Sequence, residues 1–452
     1  MTISLTLISL SMALCSAQDA SEASDGWTQE ALEAVSLEVQ GQVGKLRGAE
    51  FEGAVRVEVA DKAGLIEYAL KRMDEMQLPG AMENANWTAR LLGLLTPEQD
   101  LEKLTMEVLK EQVGGFYDPG TKSFYLMDGF TGDLARVILA HELTHALDDR
   151  LFDLDGALKA RIGNSDQTTA YMSLVEGSGS AVMNRWVMAN AGKLDPASMR
   201  EFSKMGTAAL QDTPPVIWKP LLATYMTGQR FLSIGTRQLR TVEKARDPNA
   251  ALERAFATPP RSSEQILHPE KYWVPEDIDE PIVVDRKSVD LPEGWSLVQQ
   301  DTFGEMQLAL VTELANGHYK VNFANPLSMM SIQYTNEAAA GWGGDSLGLY
   351  AKGEGRLLHL VTVWDNEEEA AEFESTMSLV IESSIEPNLA LIAGEEGSHG
   401  ARMLAGHSPR ERVLVAWALP ESSDGEAEAL LAQLRWELHV PAAEEPKEAE
   451  ED

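Results

Sequence analysis

The chain has 452 residues, of which 44% are apolar and 24% charged, so it is neither wholly disordered nor collagen-like. Acidic residues number 72 and basic residues 37, which gives a net charge of −35 at pH 7. A field of that sign repels nucleic acid and anionic lipid, and both are therefore poor candidates as partners.

The N-terminus is typical of a secretory signal peptide. Residues 3–17 are almost all apolar or small, and polar residues follow Ala17, which predicts cleavage near that position. Against this, no Lys or Arg precedes the apolar run. The alternative is a lipoprotein anchored through Cys15, which the bulky Leu14 disfavours. We therefore expect a secreted or periplasmic protein without a membrane span in the mature chain, and without disulfides because Cys15 is the only cysteine.

Hydrophobic periodicity predicts a mostly helical region after the N-terminus. Helices are expected at residues 27–46, 62–76, 98–112, 134–149, 167–191 and 217–242. Strands are expected at 54–59 and 123–127, with a turn over 114–121. The region therefore combines many helices with a small sheet.

A change in composition predicts a second domain. Residues 275–281 are acidic and proline-containing, which indicates a linker. Beyond it we expect strands at 347–351, 357–364 and 413–419, helices at 366–381 and 426–438, and a turn at 341–345. The predicted fold class is α+β. The predicted organisation is a signal peptide (1–17), a linker or pro-segment (18–39), a first domain (40–275), a smaller α+β domain of unknown role (282–440) and an acidic disordered tail (441–452).

The strongest chemical signal is the segment His141-Glu142-Leu143-Thr144-His145. Residues four apart on an α-helix share one face, so both imidazoles can bind one ion. Neutral imidazole suits zinc, and zinc lowers the pKa of a bound water to about 7. Glu142 is placed to take a proton from that water as a general base. The alternative is a structural histidine pair on a core helix, which is costly to bury without a metal or a partner.

Glu176 is the candidate for a third protein ligand. It follows His145 at a distance that leaves room for a loop and a returning helix. Its neighbours are apolar, so we expect the carboxylate to be buried, and buried acids are paired or bind metal. Gly177 and Gly179 carry no side-chain bulk and would let two helices approach closely.

These segments resemble the gluzincin, or thermolysin-like, zinc metallopeptidases. A closer resemblance is to a family of secreted bacterial proteins predicted to be metallopeptidases, and it covers about residues 40–440. Its pattern appears here as EQVGGFYDPGTKSFYLMD, LAHELTHALDD, SLVEGSGSA, PPRSSEQILHPEKY, GWGGDSLGLY and VTVWDNEEEAAEF. HELTH is specific for zinc hydrolases, whereas the other segments are specific only as a set. The resemblance implies a zincin-like catalytic domain with a small edge sheet, one Zn²⁺ held by His141, His145 and Glu176, and Glu142 as the general base.

Two features depart from the family pattern. Relatives usually carry an acid and then alanine after the Glu-Gly pair, where Ser178 and Gly179 stand here. Thermolysin-like enzymes have, four residues after the ligand glutamate, an aspartate that orients a zinc histidine, and Ser180 stands there. The residue that orients the histidines is therefore open, and the candidates are Asp148, Asp149 and Asp166.

Peptide hydrolysis also needs a hydrogen-bond donor to the developing oxyanion. The segment HPEKY offers His268, which is the candidate catalytic residue, and Tyr272. The alternative reading of His268 is a turn residue before Pro269. In gluzincin-like folds a strand in the position of residues 123–127 lies at the sheet edge and pairs with the substrate backbone.

Together these features predict a secreted zinc metallopeptidase that acts on a peptide or protein substrate. The alternative is a secreted protein that holds zinc for its structure, or that binds peptides without cutting them. Ser178 and Ser180, where acids are expected, motivate that alternative. A third possibility is a latent precursor in which residues 18–50 cover the cleft. The sequence does not predict the oligomeric state.

Overall fold

The computed structural model describes residues 9–11 and 28–440, except residues 113, 129, 197–209, 212, 318–320, 324, 326–327, 330 and 421–424. The predicted signal peptide, apart from residues 9–11, and the acidic tail at 441–452 lie outside the described residues. Within the described part of the chain, no helix is both long and apolar enough to cross a membrane.

The first half of the chain is mostly helical, as predicted. Its helices are α1 (Gln29–Arg47), α2 (Lys62–Glu75), α3 (Ala81–Leu91), α4 (Leu101–Gln112), α5 (Gly132–Phe152), α6 (Leu154–Lys159), α7 (Ser165–Asn190), α8 (Pro215–Val242), α9 (Ala250–Ala257), α10 (Ser263–Leu267) and α11 (Glu270–Trp273). Its strands are β1 (Ser9–Ser11), β2 (Arg56–Ala60), β3 (Gly115–Asp118) and β4 (Ser123–Met127). Each predicted helix and strand is present within three residues of its expected bounds.

Helices α5 and α7 run through the centre of this region and are buried on nearly every side. Buried residues occupy most positions from Ala135 to Asp149 in α5 and from Thr168 to Ser180 in α7. A helix buried all round belongs to a core rather than a surface. In α7 the side chain of Asn164 accepts a hydrogen bond from the amide of Gln167, which satisfies a free donor of the first turn.

The small sheet has the order β1-β3-β4-β2. β3 and β4 form an antiparallel hairpin, and β2 lies parallel to β4. The expected turn over 114–121 is therefore wrong at residues 115–118, which are a strand. The edge position expected for residues 123–127 is also wrong, because β2 covers the side of β4 that β3 does not. Ser9–Ser11 lies antiparallel on β3, in the register Ser9 to Tyr117.

The second half combines a five-stranded antiparallel sheet with helices on it. Its strands are β5 (Val283–Arg286), β6 (Ser296–Asp301), β7 (Trp342–Lys352), β8 (Gly355–Trp364), β9 (Ser398–Ala405), β10 (Glu411–Leu419) and β11 (Trp436–His439). Its helices are α12 (Glu305–Thr312), α13 (Glu367–Val380), α14 (Glu386–Ala393) and α15 (Glu426–Leu431), with a 3₁₀ turn at Glu313–Asn316 and a π turn at Ile381–Ile385. The main sheet has the order β6-β7-β8-β10-β9, and β5 pairs with β11.

The α+β class is thus correct, and two local predictions in the second half need correction. Residues 342–345 were expected in a turn but open strand β7, whose register shifts between Trp342 and Gly344. Gly341 alone in that segment has a left-handed φ, of 76°. The helix expected over 426–438 ends at Leu431, and β11 follows it.

One continuous apolar core joins the two halves. It includes Leu143 of α5, Phe231 of α8, Leu308 of α12 and Trp364 of β8. Helix α12 is buried at all eight positions, so it has no solvent face. This core therefore includes residues on both sides of the predicted linker at 275–281, and a second apolar cluster that includes Val284 and Val361 lies wholly in the second half. The predicted boundary at 39/40 lies inside α1.

The first turn of α7 is fixed through polar contacts to the second half and to α10. The amide of Asp166 donates to the carbonyl of Thr302 at 3.1 Å, and its Oδ1 accepts the amide of Ser263 at 2.9 Å. The amide of Ser165 donates to Asp301 at 2.8 Å. These bonds anchor the helix that carries Glu176.

Two acids at this joint, Asp166 and Asp345, are buried. Burial raises the pKa of Asp166 to about 7, and burial raises the pKa of Asp345 to about 6. Asp345 accepts the amides of Phe303 and Gly304, each at 2.6 Å. The folded chain therefore holds protons that the unfolded chain would release.

We expect the joint to lose stability as the pH rises. Asp166 has an ordinary pKa of 3.8 and a folded pKa of about 7, so its stabilisation is complete below about pH 4 and is lost as the pH rises through 7. The loss is on the order of a few kcal/mol. Asp166→Asn should remove this pH dependence, measured as urea unfolding free energies from pH 4 to 8. Asp290→Asn, at an exposed aspartate, is the control. Parallel pH profiles for Asp166→Asn and the unsubstituted protein would contradict the expectation.

Candidate metal centre

Helix α5 places two imidazoles on one face of the core. His141 and His145 are one helical turn apart, and their ring centroids lie 4.6 Å apart at 83°. Their exposed fractions are only 3% and 0%. A histidine pair this deep needs a partner that satisfies its nitrogens.

Helix α7 brings a carboxylate to both rings. Oε2 of Glu176 lies 3.0 Å from Nε2 of His141 and 3.5 Å from Nε2 of His145. The three candidate ligand atoms all lie within 4.8 Å of one another. In a tetrahedral zinc site with bonds of about 2.0–2.1 Å, ligand atoms are about 3.3 Å apart. The spacing in this centre is thus close to that of a zinc site.

Glycines permit this approach of the helices. A Cβ atom on Gly179 would lie 2.7 Å from the ring of His141 and 2.8 Å from that of His145. On the other side of α7, Gly177 lies against Gly228 of α8, where a Cβ would come within 2.5 Å of backbone. Any larger residue at either position would push α7 away from its neighbours.

Glu142 lies next to the centre without joining its three ligand atoms. Its Oε2 accepts the backbone amide of Tyr117, in β3, at 2.6 Å. Its Oε1 is buried and has no hydrogen-bond partner among the described residues. The sheet therefore fixes one oxygen of Glu142, and the other makes no hydrogen bond within the described part of the chain.

The ionisation of these groups suits metal binding. Burial and the neighbouring His145 lower the pKa of His141, which keeps its imidazole neutral. Burial raises the pKa of Glu176, but both imidazoles outweigh it and lower that pKa to about 2. Burial and nearby Glu176 raise the pKa of Glu142 well above its usual range. A neutral imidazole and an ionised carboxylate are the forms that bind a metal cation.

The unsatisfied atoms provide a test of fit for a metal ion. Nε2 and Nδ1 of His145 and Oε1 of Glu142 are buried without hydrogen bonds in the described structure. Buried polar groups are rarely left in this state, so each needs an explanation. A divalent cation between Glu176 and the two Nε2 atoms would satisfy the ligand nitrogens, and the donor set of two imidazoles and one carboxylate suits zinc.

None of the three aspartates proposed to orient the histidines is hydrogen-bonded to them. Asp148 accepts hydrogen bonds from Arg47 and Ser178. Asp149 accepts them from the hydroxyl of Tyr117, from a lysine and from a backbone amide. Asp166 lies at the start of α7, ten residues or about 15 Å along the helix from Glu176.

The two oxyanion donors expected from the HPEKY segment have other partners. Nε2 of His268 lies 2.9 Å from Oε1 of Glu305, in the buried helix α12. That contact raises the pKa of His268. The hydroxyl of Tyr272 donates to the carbonyl of Thr258 at 2.6 Å. Among the described residues, no hydrogen bond joins His268 or Tyr272 to the three candidate ligand side chains.

Tyr225 was missed in the sequence and lies beside the centre. Its ring centroid is 5.9 Å from that of His141, and the side chain is half-buried. Its position in α8, far from both histidines in the chain, left no local signal. The amide of Tyr117 was missed for a related reason, since a backbone donor has no side-chain signature.

Gly179→Ala should weaken metal binding, because its Cβ would occupy the space of the two imidazoles. We expect the zinc dissociation constant to rise at least about tenfold, measured by competition with a chromogenic chelator. Gly192→Ala is the matched control, because no atom lies within 4 Å of a Cβ built there. Equal zinc affinities for both variants would show that the rings do not need this space.

Comparison with known proteins adds one family match. Residues 295–436 match a family described as Domain of unknown function (DUF8575), and this range contains the main sheet and helices α12 to α15. No curated protein and no solved structure matches the chain. The match does not include α5 or α7, which carry the three candidate ligands.

Proposed function

We propose that this chain is an exported zinc-dependent peptidase with a zincin-like catalytic region. The observation that carries the proposal is the convergence of Nε2 of His141, Nε2 of His145 and Oε2 of Glu176 beside Oε1 of Glu142, a buried oxygen with no hydrogen-bond partner among the described residues. The resemblance of the same segments to the gluzincins supports it. The predicted signal peptide is the basis for proposing export.

The number of protein ligands favours a catalytic site over a structural one. Structural zinc sites usually have four protein ligands, whereas catalytic sites have three and leave one position for water or substrate. His141, His145 and Glu176 would supply three ligands, and Glu142 does not belong to this cluster of ligand atoms. A fourth position would therefore remain open to water.

The side chains divide the chemistry between them. A zinc ion held by the three ligands would act as a Lewis acid and make water more acidic. Oε1 of Glu142 is the base that takes a proton from the attacking water and passes it to the leaving amine. The amide of Tyr117 holds the other oxygen, so the carboxylate keeps its orientation during both transfers.

Tyr225 is the proposed donor to the developing oxyanion. It is a half-buried phenol whose ring centroid lies 5.9 Å from that of His141. A donor of this kind contributes only if its hydroxyl reaches the carbonyl oxygen of the bound peptide. His268 remains the second candidate.

An extended peptide is the substrate class that fits the sheet next to the centre. Ser9–Ser11 pairs with Gly115–Tyr117 as an antiparallel strand, so this side of β3 accepts an extended backbone. The same strand contributes the amide that holds Glu142. Strand addition at β3 would thus align a peptide with the proposed base.

Glu142→Gln should abolish peptidase activity while zinc is retained. The amide can still accept the Tyr117 hydrogen bond but cannot take a proton, so we expect hydrolysis to fall by at least about a hundredfold. Cleavage of a diverse peptide library, with and without a chelator, is the measurement, and zinc content is determined in parallel. Glu107→Gln, at an exposed position of α4, is the control.

The same measurement separates the peptidase from a non-enzymatic zinc protein. Zinc binding without cleavage of any library peptide would favour the latter. Full activity of zinc-loaded Glu142→Gln would rule out the proposed base.

Tyr225→Phe and His268→Gln should differ in their effect on catalysis. We expect the phenylalanine variant to lower kcat by roughly 10²–10³-fold with little change in zinc affinity, because only the oxyanion donor is lost. His268→Gln should retain kcat per folded, zinc-loaded molecule. The opposite pattern would assign the donor role to His268.

A further inference from the structure

A buried chain of polar groups connects three helices behind the metal centre. Oδ1 of Asp148, in α5, accepts Nε of Arg47 at 2.7 Å, and its Oδ2 accepts the hydroxyl of Ser178 at 2.5 Å. Arg47 is the last residue of α1, and Ser178 belongs to α7. The exposed fractions of Arg47, Asp148 and Ser178 are 1%, 0% and 0%.

This chain lies close to the proposed ligands in sequence. Asp148 follows His145 by three residues, and Ser178 follows Glu176 by two. At about 100° per residue, Glu176 and Ser178 lie on opposite sides of Gly179 around the axis of α7. Gly179 faces both imidazoles. Helix α7 is therefore held against α5 at two points, through Glu176 on one side of the contact and through Ser178 on the other.

Arg47, which holds Asp148 in place, is itself held by further contacts. Nη1 of Arg47 is also paired with Glu253 of α9, and its guanidinium lies 5.8 Å from the ring centroid of Phe152. Asp148 therefore has little freedom to follow α7 if that helix rotates. Hydrogen bonds to a buried carboxylate are among the stronger ones in proteins, so the Ser178 contact resists such rotation.

We infer that Arg47, Asp148 and Ser178 are positioning residues that set the rotation of α7 against α5 before a metal ion binds. Among the hydrogen bonds and ion pairs of the described residues, the other polar contacts between the two helices are those of Glu176 with His141 and His145. Without the Ser178 contact, binding of the metal ion would also have to fix the position of Glu176.

The inference gives a role to a position that departs from the family pattern. Metal sites commonly orient their histidines by a hydrogen bond to the second ring nitrogen. Nδ1 of His145 has no hydrogen-bond partner among the described residues. In this chain the orienting contact acts on the helices that carry the ligands. It rests on the metal-binding part of the proposed function and not on the reaction.

The test is the zinc affinity of the apoprotein, measured by competition with a chromogenic chelator. Ser178→Ala should raise the zinc dissociation constant about tenfold or more, the range seen when outer contacts of a metal site are lost. Ser173→Ala is the matched control, because that hydroxyl is also buried in α7 but bonds only to Thr169 of the same helix. The visible spectrum of the cobalt-loaded protein should change in Ser178→Ala and not in the control.

A double-mutant cycle shows whether the residues act as a unit. Asp148→Ala should also weaken zinc binding, and Ser178→Ala combined with it should weaken binding little further, because both remove the contact between Asp148 and Ser178. Thermal unfolding of each apoprotein identifies the temperature range in which all variants are folded. Unchanged affinity in Ser178→Ala, or additive effects of the two substitutions, would overturn the inference.

The test of the positioning role can be told apart from the test of the peptidase proposal. If the unsubstituted protein binds zinc but cleaves no peptide, the peptidase proposal fails, and the affinities still decide the positioning role. If the unsubstituted protein binds no zinc, both proposals fail.

Discussion

The burial of one carboxylate between two imidazoles is the constraint on which the rest of this structure depends. Glu176 is 2% exposed and lies within 3.5 Å of both rings. Removing a carboxylate from water costs several kcal/mol unless it gains strong partners. The core around it must therefore bring α5 and α7 close together and hold them there. The glycines at 177 and 179 and the buried Arg47–Asp148–Ser178 chain meet that requirement from different sides.

The second half of the chain takes part in the same constraint. Helix α7 begins against the segment around residue 302, and the fully buried α12 contributes to the core shared with α5 and α8. The matched family region, 295–436, contains both of these features. This region therefore helps to support the candidate centre, because the first turn of α7 is hydrogen-bonded to residues 301 and 302.

Local sequence patterns were sufficient for most of the secondary structure and for naming all three candidate ligands, although they did not show that Glu176 meets both imidazoles. The helices around 134–149 and 167–191 follow from apolar periodicity, and the His141/His145 pair follows from the four-residue spacing. The strand at 123–127 was also found, but its place in the sheet was wrong because β2 pairs with it from a segment more than 60 residues earlier in the chain. Asp148, Asp149 and Asp166 were the candidates for orienting a histidine, and none of them is hydrogen-bonded to His141 or His145. Most of their partners lie in distant segments of the chain.

By itself the sequence determined which residues could bind a divalent cation and which helix presents two of them, because both depend on residue type and on contacts one turn apart. Only the tertiary structure decided that Glu176 meets both rings, that Tyr117 holds Glu142 and that Tyr225 lies beside His141. These contacts join residues 25 to 84 positions apart. Their formation depends on how whole helices and strands bury their surfaces together, and no local pattern encodes that outcome.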